Sequence, residues 1–302
     1  MNDRSLLPPD APMIFAGAPI DRAEIQRKDP AALEALENDP RAMGICLHRA
    51  QPHLGPDGAL TRIAFRFRPQ GHEPVLLGLQ DGAPLYAFDC VEPALDMPGQ
   101  YADARMAAMG LSPDEAALLG QARSLIEWRR KHRFCANCGS ETAQAAGGAK
   151  RVCGGCGAEH FPRVDPVAIM LATDGDRCLL GRQAAWPPRI WSALAGFTEP
   201  GETLEEACAR ELKEEAGVTA DIAAIRYVMG QPWPFPSQLM MGLVAPVIDA
   251  RIQVDETELE QARWFSRDEV ADMLAGRHPE AEMPPSVAIA RRLAELWVAG
   301  KI

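Results

Sequence analysis

Glu211, Glu214 and Glu215 stand at spacings of three and four residues, which in a helix puts the carboxylates on one side. At roughly 100° per residue they fall within an arc of about 100°. Leu204, Ala207 and Cys208, earlier in the same segment, project to that side, so the acids continue an apolar, core-facing stripe. Carboxylates packed so closely repel one another, and burial makes their charged forms costlier still. Divalent cations resolve that conflict, and oxygen-only ligation favours Mg²⁺ or Mn²⁺. On the acid spacing alone a solvated acidic helix competes on equal terms, because such Glu-rich runs are common.

The helix that must carry these acids has readable ends. Thr203 is an N-cap with Glu206 three residues on, a capping box. Gly217 suits the left-handed position that closes a helix. Upstream, Gly196 and Gly201 flank a loop able to bring backbone close to a ligand or metal.

A second set of residues has a different chemistry. Cys135-Ala-Asn-Cys138-Gly and Cys153-Gly-Gly-Cys156-Gly are two CxxC knuckles 14 residues apart, a spacing close to that of a tetrahedral Cys₄ zinc site. Four thiolates leave no open coordination position, so this zinc staples a segment and does not catalyse. Disulfides and a redox CxxC are the competing readings, the first disfavoured in a cytoplasmic chain and the second by two such pairs so close together. The stretch between the knuckles carries no basic or aromatic side chain before Lys150, which argues against a nucleic-acid surface there. The basic run Arg129-Arg130-Lys131-His132-Arg133 reads as the end of a helix that starts at Ser112, with Pro113 at its first position and Glu115 completing a capping box. Cys46, Cys90, Cys178 and Cys208 have no such spacing and read as small core residues.

In Gln231-Pro232-Trp233-Pro234-Phe235-Pro236-Ser237 three prolines alternate with aromatics, which excludes a central strand. Two readings compete: a rigid loop holding aromatic faces and a glutamine amide at a pocket wall, or a surface turn with its aromatics packed inward.

Gly196, five residues, Glu202, seven residues, then Arg210-Glu211-Leu212-Lys213-Glu214-Glu215-Ala216-Gly217-Val218 resembles the Nudix box at every defining position. The order zinc ribbon, box, Pro-rich segment is similar to the NADH pyrophosphatase branch of that superfamily, strongly over residues 130–300. Gly230 replaces the serine that leads the branch motif, and Ser237-Gln238-Leu239-Met240 displaces or replaces its last serine. The resemblance implies an α+β protein: a Nudix α/β/α sandwich preceded by a Cys₄ zinc ribbon and an N-terminal mixed α/β domain. The corresponding spans are residues 1–130, 131–162 and 163–302.

It also implies hydrolysis of the pyrophosphate of NADH or NAD⁺ to nicotinamide mononucleotide and AMP, with removal of NAD caps from RNA as the alternative. Implied ligands of Mg²⁺ or Mn²⁺ are Glu211, Glu214, Glu215, Glu258 and the carbonyl of Ala195, with Glu215 helping to activate the attacking water. Glu202 is a ligand or a loop-fixing acid, the second favoured, and Arg210 braces the carboxylates. Gln231, Pro232, Trp233, Pro234, Phe235, Pro236, Ser237 and Gln238 would line the dinucleotide site, with Phe161 stacking on a base and Ala288 making a late contact. Gly148 stands where the family has a substrate-contacting acid, which puts that contact in doubt. A homodimer with both subunits shaping the pocket is implied as well.

Composition sets outer bounds. At 302 residues the chain has room for two domains and a small module, and its net charge of −11 argues against extensive polyanion binding. No run of 18 apolar residues exists, so no transmembrane helix is expected. Met1–Pro9 lacks an apolar core of signal-peptide length, making the cytoplasm the expected compartment. Pro166–Ala172 and Cys178–Arg182 read as strands around a hairpin turn, Leu239–Val247 as another, and Val287–Val298 as a closing helix. Val75–Leu79 is the clearest strand of the N-terminal part, where His48, His53 and His72 read as surface-loop residues and not ligands.

Overall fold

Alternating apolar strands with a helix laid across them recur in both halves of the chain. The structure, a computed structural model, describes residues 13–68, 73–90 and 97–302. These residues divide into two compact units: Ile14–Val164 with Pro232–Ser237, and Asp165–Gln231 with Gln238–Ile302 and Met13. His72 and the N-terminal residues read for a leader lie outside the described residues, as do 69–71 and 91–96.

In the first unit, α1 (Pro30–Glu37) is followed by β1 (Met43–His48), β2 (Gln51–Leu54), β3 (Arg62–Ala64), β4 (Val75–Gln80), β5 (Ala83–Asp89) and β6 (Gln100–Tyr101). They form a sheet in the order β4-β5-β1-β2-β6, with β3 also paired to β1. After α2 (Ala104–Gly110), the long α3 (Pro113–Lys131) packs Leu118, Leu119, Ala122 and Ile126 on Ile45, Leu47, Val75 and Leu77 of the sheet. Ser112 caps α3 by accepting the Glu115 amide, with Pro113 at the first position, and Arg129, Arg130 and Lys131 fill its last turn. The expected reciprocal bond differs: the Glu115 carboxylate accepts the Leu60 amide at 3.2 Å.

Two histidine readings change as well. His53 lies on β2 at 3% exposure with Nδ1 2.7 Å from Thr61 Oγ1, so it is a core residue. His48 ends β1 half-buried, its Nδ1 2.7 Å from the Cys90 carbonyl oxygen. Cys46, Cys90, Cys178 and Cys208 are all buried free thiols, as expected of core residues.

The ribbon follows as a small antiparallel sheet of β7 (Thr142–Ala145), β8 (Lys150–Cys153) and β9 (Glu159–His160). Arg27 joins it to the N-terminal strands, donating to the Ala146 oxygen at 3.0 Å and the Leu76 oxygen at 2.7 Å.

The second unit is built on β10 (Asp165–Asp174), which turns through Gly175 at φ 60° into β11 (Arg177–Arg182). Then come β12 (Leu194–Phe197), α4 (Leu204–Ala216), β13 (Thr219–Ala220), β14 (Arg226–Trp233), β15 (Gln238–Asp249), β16 (Gln261–Ser266), α5 (Arg267–Leu274) and α6 (Ile289–Val298). The sheet runs β13-β15-β10-β11-β16, with β12 added to β10 and β14 to β15. β10 is apolar on both faces because both are covered. Ala168, Met170 and Ala172 pack with α4, while Ile169 packs with α6. This is the α/β/α sandwich expected. Among the described residues no helix is long and apolar enough to cross a membrane.

Candidate active site and zinc ribbon

The box helix α4 has the ends its residues dictate. Thr203 Oγ1 accepts the Glu206 amide and the Glu206 carboxylate accepts the Thr203 amide, at 3.2 and 2.7 Å. Gly217 closes it at φ 69°, a conformation that favours glycine. Ala207, Cys208, Leu212 and Ala216 are fully buried against the sheet, and on the same side Glu211 and Glu215 are only 9% and 7% exposed. Gly196 explains how Glu211 fits. A Cβ on Gly196, in the strand facing α4, would overlap the Glu211 carboxylate.

Glu258 reaches the same place from a loop tied to the helix end, where the Asp255 amide donates to the Glu215 carbonyl at 3.0 Å. Carboxylate oxygens of Glu211, Glu215 and Glu258 lie within 4.8 Å of one another. Burial first, then the charges of Glu211, Glu258 and Glu214, pushes Glu215 up to about 8. Burial also raises Glu211, against the pull of Arg210. Partly buried hard oxygens with no protein cation on Glu215 are the donor set a divalent ion of the Mg²⁺ or Mn²⁺ type fits.

Glu214 departs from expectation. Its side chain is 56% exposed, and its carboxylate accepts from Arg210 Nη1 at 2.9 Å instead of joining the cluster. It sits on the flank of the acid arc, one turn from Arg210, where an i,i+4 ion pair competes for it. Arg210 is the brace that the residue pattern implies. It donates to Glu202 at 2.7 Å, to Glu211 at 2.8 Å and to the Phe197 carbonyl at 2.9 Å. Glu202 is loop-fixing: besides Arg210 it accepts the Glu199 amide at 2.9 Å, and those bonds, Arg210 first, hold its carboxyl down to about 2.

These groups border a cleft of about 860 Å³, lined also by Ala195, Gly196, Phe197 and Glu199. Phe197 was not singled out from the sequence. It follows Gly196 directly on β12 and is 52% exposed, leaving a ring face in the cleft beside the carboxylates. Its place next to the box glycine, on the alternate face of a strand, was the available signal.

The Pro-rich segment is part strand, part turn. Gln231, Pro232 and Trp233 end β14, which among the described residues pairs with β15 alone and is therefore an edge, where proline is tolerated. Gln231 is fully buried: its amide nitrogen donates to the Val287 carbonyl at 2.8 Å and its oxygen accepts the Ile289 amide at 3.0 Å. That amide is spent inside the fold and is not displayed on a pocket wall. It fixes the backbone on either side of Ala288, which caps the start of α6.

Trp233 and Phe235 pack edge-on against Phe15, at 6.0 and 5.8 Å between ring centres, so the inward-packed reading holds for them. Pro234 is buried, Pro236 exposed, and Ser237 and Gln238 are half-buried. Phe161 is 62% exposed in the first unit, on a separate pocket of about 910 Å³ shared with Tyr86, Gln144 and Lys150. The second unit thus assembles Ala195, Glu211, Glu215 and Glu258, while Phe161 and Pro232–Ser237 belong to the first.

The cysteine knuckles converge as their spacing requires. All four sulfurs lie within 4.8 Å of one another, with Cys135 and Cys156 at 3.8 Å and Cys138 and Cys153 at 3.4 Å. Gly139 at φ 77° and Gly157 at φ 72° make the tight turns after each second cysteine. Amides of Asn137 and Gly155 donate to Cys135 and Cys153, both at 3.3 Å, which stabilises thiolates. Four soft ligands in that space fit structural zinc.

An acid-bearing loop and helix on a covered sheet, holding oxygen donors for a divalent ion beside an open cleft, define a cation-dependent hydrolytic domain. The chain belongs to the Nudix hydrolases, in their NADH pyrophosphatase branch. Residues 162–291 match the NUDIX domain, 130–161 the NADH pyrophosphatase zinc ribbon domain, and 21–128 the NADH pyrophosphatase-like rudimentary NUDIX domain. The chain is 39% identical over 227 residues to the NAD-capped RNA hydrolase NudC of Stutzerimonas stutzeri, covering 75% of this chain and 78% of that one. It is 45% identical over 203 residues to the NAD-capped RNA hydrolase NUDT12 of Macaca fascicularis, covering 64% of this chain and 44% of that one. The human mitochondrial NAD(P)H pyrophosphatase NUDT13 is 39% identical over 215 residues, covering 67% and 60%. The match thus spans less than half the length of the NUDT12 relative.

Proposed function

We propose that this chain hydrolyses the pyrophosphate bond of NADH or NAD⁺, giving nicotinamide mononucleotide, reduced or oxidised, and AMP. The observation that carries the reading is the Glu211–Glu215–Glu258 cluster in a cleft of about 860 Å³, a volume suited to a dinucleotide. Mg²⁺ or Mn²⁺ bound there would neutralise charge growing on the phosphate oxygens and lower the pKa of water. Glu211 and Glu258 would hold the cation, with Ala195 lining the same cleft. Glu215 accepts the proton of the attacking water, because its carboxylate is the most deeply desolvated of the three and has no arginine partner. Arg210 keeps Glu211 and the Phe197 backbone in register, and the Phe197 ring offers a stacking face to a planar base.

In this reading Phe161 offers an exposed ring to a base, and the enzyme is a cytoplasmic homodimer. Zinc on Cys135, Cys138, Cys153 and Cys156 is structural. The organisation is an N-terminal domain, a ribbon from about residue 131 and a hydrolase domain from about residue 163, in line with the family matches.

Removal of NAD caps from RNA is the second reading, favoured by the names of the NudC and NUDT12 relatives. The net charge of −11 weighs against strong affinity for the RNA body. Product analysis with Mg²⁺ or Mn²⁺ across NADH, NAD⁺, ADP-ribose, diadenosine polyphosphates and NAD-capped RNA at matched concentration separates the readings. AMP and nicotinamide mononucleotide from a free dinucleotide are expected; their absence refutes the first reading.

A further inference from the structure

Two arginines of the second unit each pair with a glutamate beside the carboxylate cluster. Arg210 takes Glu214, at 2.9 Å. Arg182, the last residue of β11, takes Glu260, with its Nε 2.6 Å from the carboxylate. Glu260 stands two residues past Glu258 on the loop that runs into β16, and both border the cleft. Leu259 between them is 3% exposed and packs in the core under the loop, which turns its two neighbours outwards. Arg182 meets Glu260 from another side, since it borders a separate recess of about 330 Å³ with Arg189 and Arg263.

The path of the loop does not depend on this ion pair. The Glu260 amide already donates to the Arg182 carbonyl at 2.9 Å, and β16 pairs with β11 from Gln261 onwards. Leu259 is seated over Gly181, where a Cβ would stand 3.1 Å from the leucine Cδ1. What these contacts leave open is which carboxylate at the end of the loop reaches a cation. Glu258 joins the cluster of Glu211 and Glu215, while the Glu260 carboxylate is engaged by the guanidinium. A hard ion of the Mg²⁺ type binds through one or two carboxylates and keeps several waters, so a further carboxylate displaces a water. The position lost is one that a water or a phosphate oxygen needs.

We propose that Arg182 sets the composition of the cation site by withholding Glu260, so that Glu258 alone reaches the ion from this loop. Arg182 is thus a positioning residue that touches neither substrate nor cation. The inference rests on the reading of Glu211, Glu215 and Glu258 as the cation cluster. It assigns the ion pair a task that strand pairing and the buried leucine do not perform. Without Arg182, Glu260 turns to the cleft and takes a coordination position.

The probe is Mn²⁺ on the full-length protein, with its bound waters counted by electron–nuclear double resonance in H₂¹⁷O. Steady-state turnover of NADH is the second readout. Arg182→Gln is expected to lose one Mn²⁺-bound water and to lower kcat by about 10–100-fold, the range for partners that orient metal ligands. Glu260→Gln alone is expected to match the wild type in both readouts, because the carboxylate it removes is already held off the ion. Combining the two substitutions should restore the water and most of the turnover. Arg177→Gln, which breaks the pair with Asp174 at the far end of β11, controls for strand stability and should also match the wild type.

An unchanged water count in Arg182→Gln overturns the proposal. So does a double variant as impaired as Arg182→Gln, which would make the arginine a structural brace. Loss in Glu260→Gln alone, or an equal loss in Arg177→Gln, overturns it too. If the wild-type protein binds Mn²⁺ but leaves NADH intact, the function proposed above fails, and the water count alone decides the role of Arg182.

Discussion

Both units lay a capped helix across a sheet, yet of these two helices α4 alone contributes to a cluster of carboxylates that could hold a cation. α3 buries Ala116, Ala117, Leu118, Leu119, Gly120, Ala122, Ile126 and Trp128, an entirely uncharged face. Its acids stand in the first turn, as Asp114 and Glu115, or pair with cations near the other end, as Glu127 does with Arg130. α4 buries Ala207, Cys208, Leu212 and Ala216 in the same manner but adds Glu211 and Glu215 to the buried face. Glycine is used differently too. Gly120 lies in α3 itself and makes room for Phe15, whereas Gly196 lies in the strand opposite α4 and makes room for a carboxylate. The layered architecture is therefore neutral towards catalysis. Charge at two buried positions, and a missing Cβ across from one of them, turns a packing face into a carboxylate cluster of a kind that fits a cation.

The sharpest way to break that contrast is to remove charge from α4 without changing its shape. Glu215→Gln is expected to lower kcat on NADH by about 10²–10⁴-fold, the range for losing a positioned base. The far-ultraviolet circular dichroism should stay as it is, because an amide of equal size occupies the same buried space. Wild-type turnover in this variant under saturating Mg²⁺ would remove Glu215 from the catalytic assignment.

Next in size is a test of whether the two metal centres are independent. Cys135→Ser is expected to take zinc content from one per chain to none and to lower the melting temperature, because the ribbon has little core of its own. Mn²⁺ binding at the carboxylates, followed by electron paramagnetic resonance, should persist. Joint loss of both metals at a temperature where the protein is folded would show that they are coupled. Gly196→Ala follows, at about 1–3 kcal/mol of destabilisation from overpacking, measured by denaturant unfolding. It should also lower affinity for Mn²⁺, since the Glu211 carboxylate must move. An alanine accepted there at no cost would mean that Glu211 has another place to go.

What could be read from residue order was what local chemistry decides. Thr203 and Gly217 mark the ends of α4 because caps are local, and the cysteine knuckles announce zinc because four ligands sit in two short runs. Helical spacing placed the acids on a core side but could not rank them. Glu214 pairs with Arg210, and Glu258, 43 residues beyond Glu215, joins the cluster as the family resemblance, and not the helical spacing, implied. Gln231 misled for a related reason. A buried amide is used by whichever backbone groups the tertiary fold brings to it, here those flanking Ala288. His53 was hidden in the same way, since surrounding proline and glycine suggested a loop while β2 pairs with both β1 and β6. Phe197 went unnoticed although it follows the box glycine directly, because strand alternation there becomes readable only once β12 is known to be a strand.

The smallest expected effect probes the charge on α4 directly, through the linkage of stability to pH. In the metal-free protein the Glu215 carboxyl is raised from an ordinary 4.5 to about 8. Between those values the folded chain holds a proton at this position that the unfolded chain has released. Stability from this group is therefore fully present below pH 4.5 and is lost as pH rises through about 8. A divalent cation in the cluster replaces the proton and removes the penalty. Added Mg²⁺ should accordingly raise the melting temperature more at pH 8 than at pH 6, with proton release on binding that is visible calorimetrically in buffers of different ionisation enthalpy. In Glu215→Gln the pH dependence of the Mg²⁺ effect should flatten, because the replaced group does not titrate. α3 has no counterpart, since no carboxylate is among its buried residues. An unchanged pH dependence in Glu215→Gln would place the titrating group elsewhere and would remove buried charge as the feature that separates the two helices.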